Sequence, residues 1–250
     1  MGNTARNESY YDGAYASGSL IKVLIKLHLS YDQLSKTRRN LAALKSDLKS
    51  PGPLSVLDYG FGHGTFMYRV PRTHKVFGCE LSTQAIGNMK RLFKFFRRDI
   101  QLFREDVFLS PAYEKKFDLI HCSHVLEHVD SDSELLSAFH KRLHDGGRLL
   151  INVPINEVWR DPNHVREYCL KNLLKLLQCS GFAVDSAREA DRWTAFILNG
   201  EYVSKSMPGL VFRILRLILA LFPTKLLDRL EKVLPAKYRF QQLIVVAHKL

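Results

Sequence analysis

Ser55-Val56-Leu57-Asp58-Tyr59-Gly60-Phe61-Gly62-His63-Gly64-Thr65-Phe66 decides how the rest of the chain is read. An apolar run leaves Pro53-Leu54, closes on a carboxylate and meets glycines spaced G-x-G-x-G before a new helix. Glycine permits the tight turn and lets backbone approach a ligand that any Cβ would hold away. A helix starting there offers unpaired N–H groups to an anion. A lone glycine-rich turn is a weak signal, since many are plain turns. Here a second acid follows. Val76-Phe77-Gly78-Cys79-Glu80 reads as the next strand. It ends on Glu80, about 20 residues past the glycines, where a carboxylate can reach the hydroxyls of a nucleoside ribose.

The dinucleotide fingerprint is G-x-G-x-x-G. In this chain the third glycine comes one residue early, and Asp58 stands before the first. An acid preceding G-x-G-x-G resembles the first motif of the class I S-adenosylmethionine-dependent methyltransferases. The resemblance continues in order along the chain. Glu80, followed by Leu81, matches the acid that holds both ribose hydroxyls, and Asp106-Val107 matches the acid and backbone that address the adenine edge. Phe117-Asp118-Leu119-Ile120-His121-Cys122-Ser123-His124-Val125-Leu126-Glu127-His128-Val129 matches the fourth strand and the loop beneath the methionine end. Asp145-Gly146-Gly147-Arg148-Leu149-Leu150-Ile151-Asn152-Val153-Pro154 matches the turn into strand five. The likeness covers residues 50 to 190 and the last strand, and it is nearest to small-molecule methyltransferases of the ubiquinone-biosynthesis and natural-product type. It implies S-adenosyl-L-methionine as cofactor, held by Asp58, Tyr59, Gly60, Gly62, Gly64, Glu80, Leu81, Asp106, Val107, Ser123 and His124, with no metal.

Strands alternating with helices imply right-handed parallel βαβ units. The fold expected is α/β: a Rossmann-like, doubly wound sheet, mostly parallel, with helices before it. Arg166–Ser180 reads as an amphipathic helix with Leu170, Leu173, Leu174 and Leu177 as its buried stripe, stopped by Gly181. Leu135, Leu136, Phe139 and Leu143 mark the helix before strand five, with Gly146-Gly147 ending it. Ser82 is placed to cap the helix of Ile86, Met89, Phe93 and Phe96. Gln242–Ala247 reads as the last strand, which the resemblance makes antiparallel. The whole, 1-250, reads as a single domain: lead-in and helices over 1-49, cofactor core 50-191, helical insert 192-239, last strand 240-250.

A 250-residue chain that is 46% apolar can bury one good core. Cys79, Cys122, Cys169 and Cys179 form no C-x-x-C pair, and the two in strands read as buried thiols of a reducing compartment. No secretory signal pattern opens the chain, and Arg6 stands where myristoylation wants Ser or Thr, so the expected location is cytoplasmic. A net charge of +12 admits nucleic acid or an anionic membrane surface as partners.

His124-Val125-Leu126-Glu127-His128 spells H-x-x-E-H, the inverted zinc-protease pattern. On a helix its histidines would share a face, but the pattern here follows a strand of the methyltransferase series, so active-site wall is preferred to zinc. His128 would lie near the methyl group. His164, in Asp161-Pro162-Asn163-His164-Val165, sits on a loop at the acceptor side, where functional residues gather. Both are candidate bases; the bland readings are a structural histidine and a helix cap. Lys90, Arg91, Lys94, Arg97 and Arg98 run among Phe93, Phe95 and Phe96, better read as a solvated face over core than as a nucleic-acid site. Tyr10, Tyr11 and Tyr15 are placed either to cover the cofactor or to dangle.

Within the insert, Gly209–Phe222 is apolar but for two arginines, too short to span a bilayer, which takes about 20 apolar residues. Ser204–Leu250 carries nine Lys or Arg against Asp228 and Glu231, so +7 of the +12 lies there. An interfacial helix on anionic lipid, a cap over the acceptor pocket and a homodimer surface all fit that pattern. The function expected is methyl transfer to a small-molecule, glycan or lipid-linked acceptor at oxygen, where a histidine removes the hydroxyl proton. An RNA or protein methyltransferase is the enzymatic rival, although Ser123-His124-Val125-Leu126 replaces the Pro-Pro-aromatic run of amino-methylating nucleic-acid enzymes. A non-catalytic, partner-binding subunit is the other.

Overall fold

Seven strands hydrogen-bond into one sheet, and along its five inner strands alternate residues find apolar cover on opposite faces. The computed structural model describes residues 20–204 and 208–250 together with Tyr10, Asp12, Gly13 and Tyr15; Tyr11 and the first residues of the lead-in lie outside it. Two helices, α1 (Leu20–Leu29) and α2 (Tyr31–Ala43), precede β1 (Ser55–Tyr59). Then come α3 (Thr65–Arg69), β2 (Lys75–Glu80), α4 (Thr83–Phe95), β3 (Ile100–Arg104), α5 (Glu105–Leu109) and β4 (Phe117–Ser123). The chain continues through α6 (Asp132–Arg142), β5 (Leu143–Pro154), α7 (Leu170–Cys179) and β6 (Phe182–Ala190). Helices α8 (Arg192–Leu198), α9 (Gly209–Leu221) and α10 (Thr224–Leu230) form the insert before β7 (Gln242–Lys249).

The strand order is β3-β2-β1-β4-β5-β7-β6. β1 to β5 pair in parallel, and β7 enters antiparallel between β5 and β6, as the resemblance implied. Leu57, Phe77, Ile120, Leu149 and Val245 point to one face, under α6 and α7. Val56, Val76, Leu119, Leu150 and Ile244 point to the other, under α1 and α4. Both faces are dry, which is why these strands read as near-continuous apolar runs. Ser82 does cap α4, its hydroxyl accepting the Ala85 N–H at 3.2 Å. Ile86, Met89 and Phe93 are buried while Lys90, Arg91, Lys94 and Arg97 stand in solvent. Cys79 and Cys122 are buried free thiols.

Two expected boundaries move. The helix expected from Arg166 starts only at Leu170, and Leu170 itself is exposed. The residues before it are pulled across the loop after β4: Val165 N–H donates to Glu127 O at 2.8 Å, and Arg166 donates to Leu126 O at 2.9 Å. Gly146-Gly147 does not end α6, which stops at Arg142; the pair lies inside the irregular start of β5.

The inner face of the insert packs on α2, where Tyr31 and Leu34 join Ile197, Phe212, Leu219 and Leu227 in a third core. A buried ionic knot fastens it. Arg39 of α2 meets Asp191 at 3.3 Å and Asp228 at 2.8 Å. Asp191 also accepts from Tyr31 Oη at 2.8 Å and Gln242 Nε2 at 2.8 Å. Burial pushes its carboxyl up, but Arg39 and the hydroxyl donors outweigh that and hold it below the usual range.

Candidate active site

The turn after β1 is held open by its glycines. Gly60 and Gly62 lie at φ +70° and +50°, the left-handed region that side chains resist. A Cβ on Gly60 would stand 2.3 Å from Val125 Cγ2, and one on Gly62 would stand 2.8 Å from the Tyr15 hydroxyl. The turn is also tied to the end of β2. Gly60 N–H donates to Cys79 O at 2.9 Å, and Gly62 N–H donates to Glu80 Oε2 at 2.8 Å. Glu80 Oε1 accepts from Leu81 N–H at 2.8 Å. Burial raises the Glu80 carboxyl above its ordinary value, and these N–H donors pull it part of the way back.

Beside this turn opens a cavity of about 420 Å³. Tyr59, Gly60, Gly62, Glu80 and Leu81 form one wall, Glu105 and Leu109 a second, and His124, Val125, His128 and Val129 a third. Tyr15 closes one side, its ring edge-on to His63 with centroids 5.0 Å apart. Asp12 fixes the same lead-in by accepting from Ser82 Oγ at 2.5 Å. A buried carboxylate at the end of β2, beside a turn whose missing Cβ atoms leave room, fits a nucleoside cofactor with a ribose diol.

Asp58 faces a different, smaller cavity of about 130 Å³, lined also by Lys36, Asn40, Ser123 and His124. It is opposite His121 in the β1–β4 register. His121 Nδ1 lies 2.7 Å from Asp58 Oδ1, and Asn40 Nδ2 lies 2.8 Å from His121 Nε2. Asn40 can only donate from that nitrogen, so Nδ1 carries the imidazole proton and donates it to Asp58. Phe66 stacks on the ring at 3.7 Å, and Asn152 Nδ2 donates to Asn40 Oδ1 at 2.9 Å. This polar file locks α2 onto the ends of β1, β4 and β5.

The third wall follows β4. His124 takes φ +56°, its N–H donating to Asn152 O at 2.7 Å, and residues 126–128 form a turn. H-x-x-E-H therefore does not lie on a helix, and His124 and His128 do not share a helical face. A different group gathers. Ligand atoms of Glu127, His128 and His164 all lie within 4.8 Å of one another. The His128 and His164 rings meet edge-on with centroids 4.6 Å apart. His128 Nδ1 faces Asn163 O at 3.3 Å, and His164 Nδ1 faces Glu157 Oε1 at 2.8 Å. Glu127 is fully buried; among the described residues neither of its oxygens has a well-formed hydrogen-bond donor, and His124 Nδ1 stands 3.4 Å away.

Burial lifts the Glu127 carboxyl to about 7. Burial, then the neighbouring His164, lowers His128, so that imidazole is neutral at pH 7. Burial would lower His164 too, but the Glu157 carboxylate outweighs it and the net shift is upward. Two imidazoles with a carboxylate is a donor set that suits a divalent cation, and a carbonyl or carboxylate behind each ring is the backing such ligands have.

Of the residues expected to hold the cofactor, Tyr59, Gly60, Gly62, Glu80, Leu81 and His124 line the main cavity, and the candidate base His128 joins them. Asp58 and Ser123 line the smaller one. Gly64 lines neither; it stands before α3 at φ +65°. Asp106 and Val107 point outward, Asp106 Oδ1 accepting its neighbour's N–H at 3.0 Å. Glu105 takes the cavity position instead, accepting from the Tyr59 hydroxyl. His164 stands behind His128, off the cavity. Sequence reading missed Glu105, His121, Asn40 and Glu157. Only Glu105, adjacent to the chosen acid, left a local signal.

A family model described as a methyltransferase domain matches residues 30–200. The tRNA U34 carboxymethyltransferase of Nautilia profundicola is 30% identical over 104 residues, 41% of this chain and 35% of that protein's length. The cyclase SpnF superposes with a TM-score of 0.61 at 17% identity, over 85% of this chain and 80% of its own. Magnesium protoporphyrin IX methyltransferase from Synechocystis PCC 6803, solved with bound SAH, gives 0.56 at 14% identity, over 87% and 83%. At these identities the structural likeness speaks for the fold alone.

Proposed function

We propose that this chain, which belongs to the class I S-adenosylmethionine-dependent methyltransferases, transfers methyl to a hydroxyl oxygen of a small-molecule, glycan or lipid-linked acceptor. The observation that carries the choice of oxygen is the His128 imidazole lining the same cavity as Glu80, where burial favours its neutral form. S-adenosylmethionine supplies an already activated methyl group when bound, so the protein's part is alignment and exclusion of water. Glu80 accepts the ribose hydroxyls, and the Gly60–Gly62 turn leaves room for the methionine end beside His124. His128 takes the acceptor's proton as the new bond forms. His164, held by Glu157, positions the His128 ring edge-on and keeps it neutral.

Transfer of label from the cofactor to panels of phenols, sugars and lipid extracts tests this reading. Labelling of amines alone would overturn the oxygen assignment. Labelling of total RNA would instead favour the rival suggested by the tRNA-acting relative. No binding of S-adenosylhomocysteine in a calorimeter would leave a non-catalytic role. A second reading of the same wall rests on Glu127, whose buried oxygens lack donors: Glu127, His128 and His164 would hold a divalent cation as a Lewis acid beside the acceptor oxygen. Under the base reading a chelator leaves turnover unchanged. Loss restored by added zinc or magnesium would favour the cation.

A further inference from the structure

The insert leaves a face that the described residues do not cover. Along α9, Leu210, Ile214, Leu217, Ile218 and Leu221 are all exposed, while Phe212, Leu219 and Ala220 point inward. The neighbouring α1 repeats the arrangement: Ile21, Ile25 and Leu29, four residues apart, are exposed while Val23 and Leu27 are buried. Helix α9 packs against both α1 and α2, so the two helices that carry these exposed apolar rows are neighbours. Phe222, Leu226 and Leu230 extend it along α10. Contiguous aliphatic exposure of this kind marks an interaction surface.

The charges around it say what it meets. The insert has three acids, and each is turned onto a basic side chain of the protein. Glu201 pairs with Arg216 at 2.6 Å, Asp228 with Arg39 at 2.8 Å, and Glu231 lies 3.8 Å from Arg39 while accepting the Arg192 backbone N–H at 3.0 Å. Arg213, Lys225, Arg229 and Lys232 are exposed, and among the described residues none has an ion pair. The insert's exposed surface is therefore aliphatic, and its unpaired charges among the described residues are cationic. A second copy docked face to face would set these cations against each other. Nucleic acid would want aromatic rings to stack on, and the exposed apolar residues are nearly all Leu and Ile. No helix among the described residues is long and apolar enough to cross a membrane; α1 and α9 are suited to lie in the headgroup region, with aliphatic side chains inward and cations at the lipid phosphates.

We infer that the α1–α9–α10 face docks on the surface of an anionic lipid bilayer. Helix α2 is the link to the active site: Leu34 packs under the insert, while Lys36 and Asn40 line the smaller cavity. Docking thus bears, through α2, on one wall of the smaller cavity. It does not depend on which atom is methylated.

The test is co-sedimentation of the full chain with phosphatidylcholine vesicles, with and without phosphatidylglycerol. Binding is expected only with phosphatidylglycerol and is expected to weaken as salt rises. Leu210→Ser with Leu221→Ser, and separately Ile21→Ser with Ile25→Ser, should each lower vesicle affinity about tenfold or more. Arg213→Glu with Arg229→Glu should abolish binding to the phosphatidylglycerol vesicles. Unchanged calorimetric binding of S-adenosylhomocysteine shows that each variant is folded and that its active site is intact. A chain left in the supernatant at low salt overturns the proposal, as does a dimer in sedimentation that the serine variants dissociate. Loss of methyl transfer with vesicle binding retained would fall on the proposed reaction alone.

Discussion

Two walls of one cavity differ in how well their polar groups are satisfied. On the cofactor side, Glu80 accepts from Gly62, Leu81 and Ser82, so the carboxylate and the turn are fixed before any ligand arrives. On the histidine side, both oxygens of Glu127 and the Nε2 of His124 are buried without hydrogen-bond partners among the described residues. Buried polar atoms are nearly always partnered, and an exception costs about 1–3 kcal/mol. The first wall is preorganised. The second wall is incomplete, and a proton, an acceptor or a cation completes it. Under the proposed reaction, binding and chemistry are divided along that line.

The largest effect that could break the division is on turnover. His128→Ala is expected to reduce methyl transfer by about 10²–10⁴-fold while calorimetric affinity for S-adenosylhomocysteine stays level. His164→Ala should lower turnover less and shift its pH profile, since it acts through His128. Near-normal turnover in both would leave alignment as the whole of catalysis. Next comes Glu80→Ala, which removes charged hydrogen bonds worth about 1.5–3 kcal/mol each and should weaken cofactor binding tenfold or more. A folded variant with unchanged affinity would detach Glu80 from the ribose.

Stability sharpens the contrast further. The folded Glu127 carboxyl titrates at about 7 against an ordinary 4.5. The folded state therefore holds a proton that the unfolded chain has lost, and stability falls as pH rises from 4.5 through 7. In urea titrations the wild type should lose on the order of 2–3 kcal/mol between pH 5 and 8 through this group, and Glu127→Gln should lack that part of the slope. Identical slopes would mean the carboxylate is partnered after all; recovery at pH 8 on adding a divalent cation would name the partner. The smallest effect is expected at Asp106→Ala. An exposed side chain should change cofactor affinity no more than about twofold, and a loss as large as that of Glu80→Ala would return the adenine edge to Asp106.

Most of the Glu80 wall of the cavity was legible because its determinants are local. Glycines in a turn, an acid at the end of the next strand and Ser82 at a helix start act within a few residues of themselves, so spacing alone locates them. The start of α7 was not legible. Leu170 to Leu177 carry the helical period, but Val165 and Arg166 are bonded to carbonyls of the β4 loop, forty residues away, and that contact overrides their helical pattern. The same limit hid Glu157, which matters only because the fold brings it to His164. It also misplaced Asp106: Glu105 and Asp106 are equally acidic in sequence, and only the exit direction of β3 sends one into the cavity and the other to solvent.

By itself, then, the sequence determined the alternation of strands and helices, the dry faces of the sheet and the acid-bearing strand ends, because hydrophobic period and turn chemistry are short-range properties. Tertiary structure alone decided that H-x-x-E-H becomes a turn rather than a helix, with Glu127, His128 and His164 as its cluster. It alone turned the acids of the insert inward and left its cations and aliphatic rows outside. Those outcomes depend on which distant groups satisfy a buried charge, and pairing across the fold has no period along the chain.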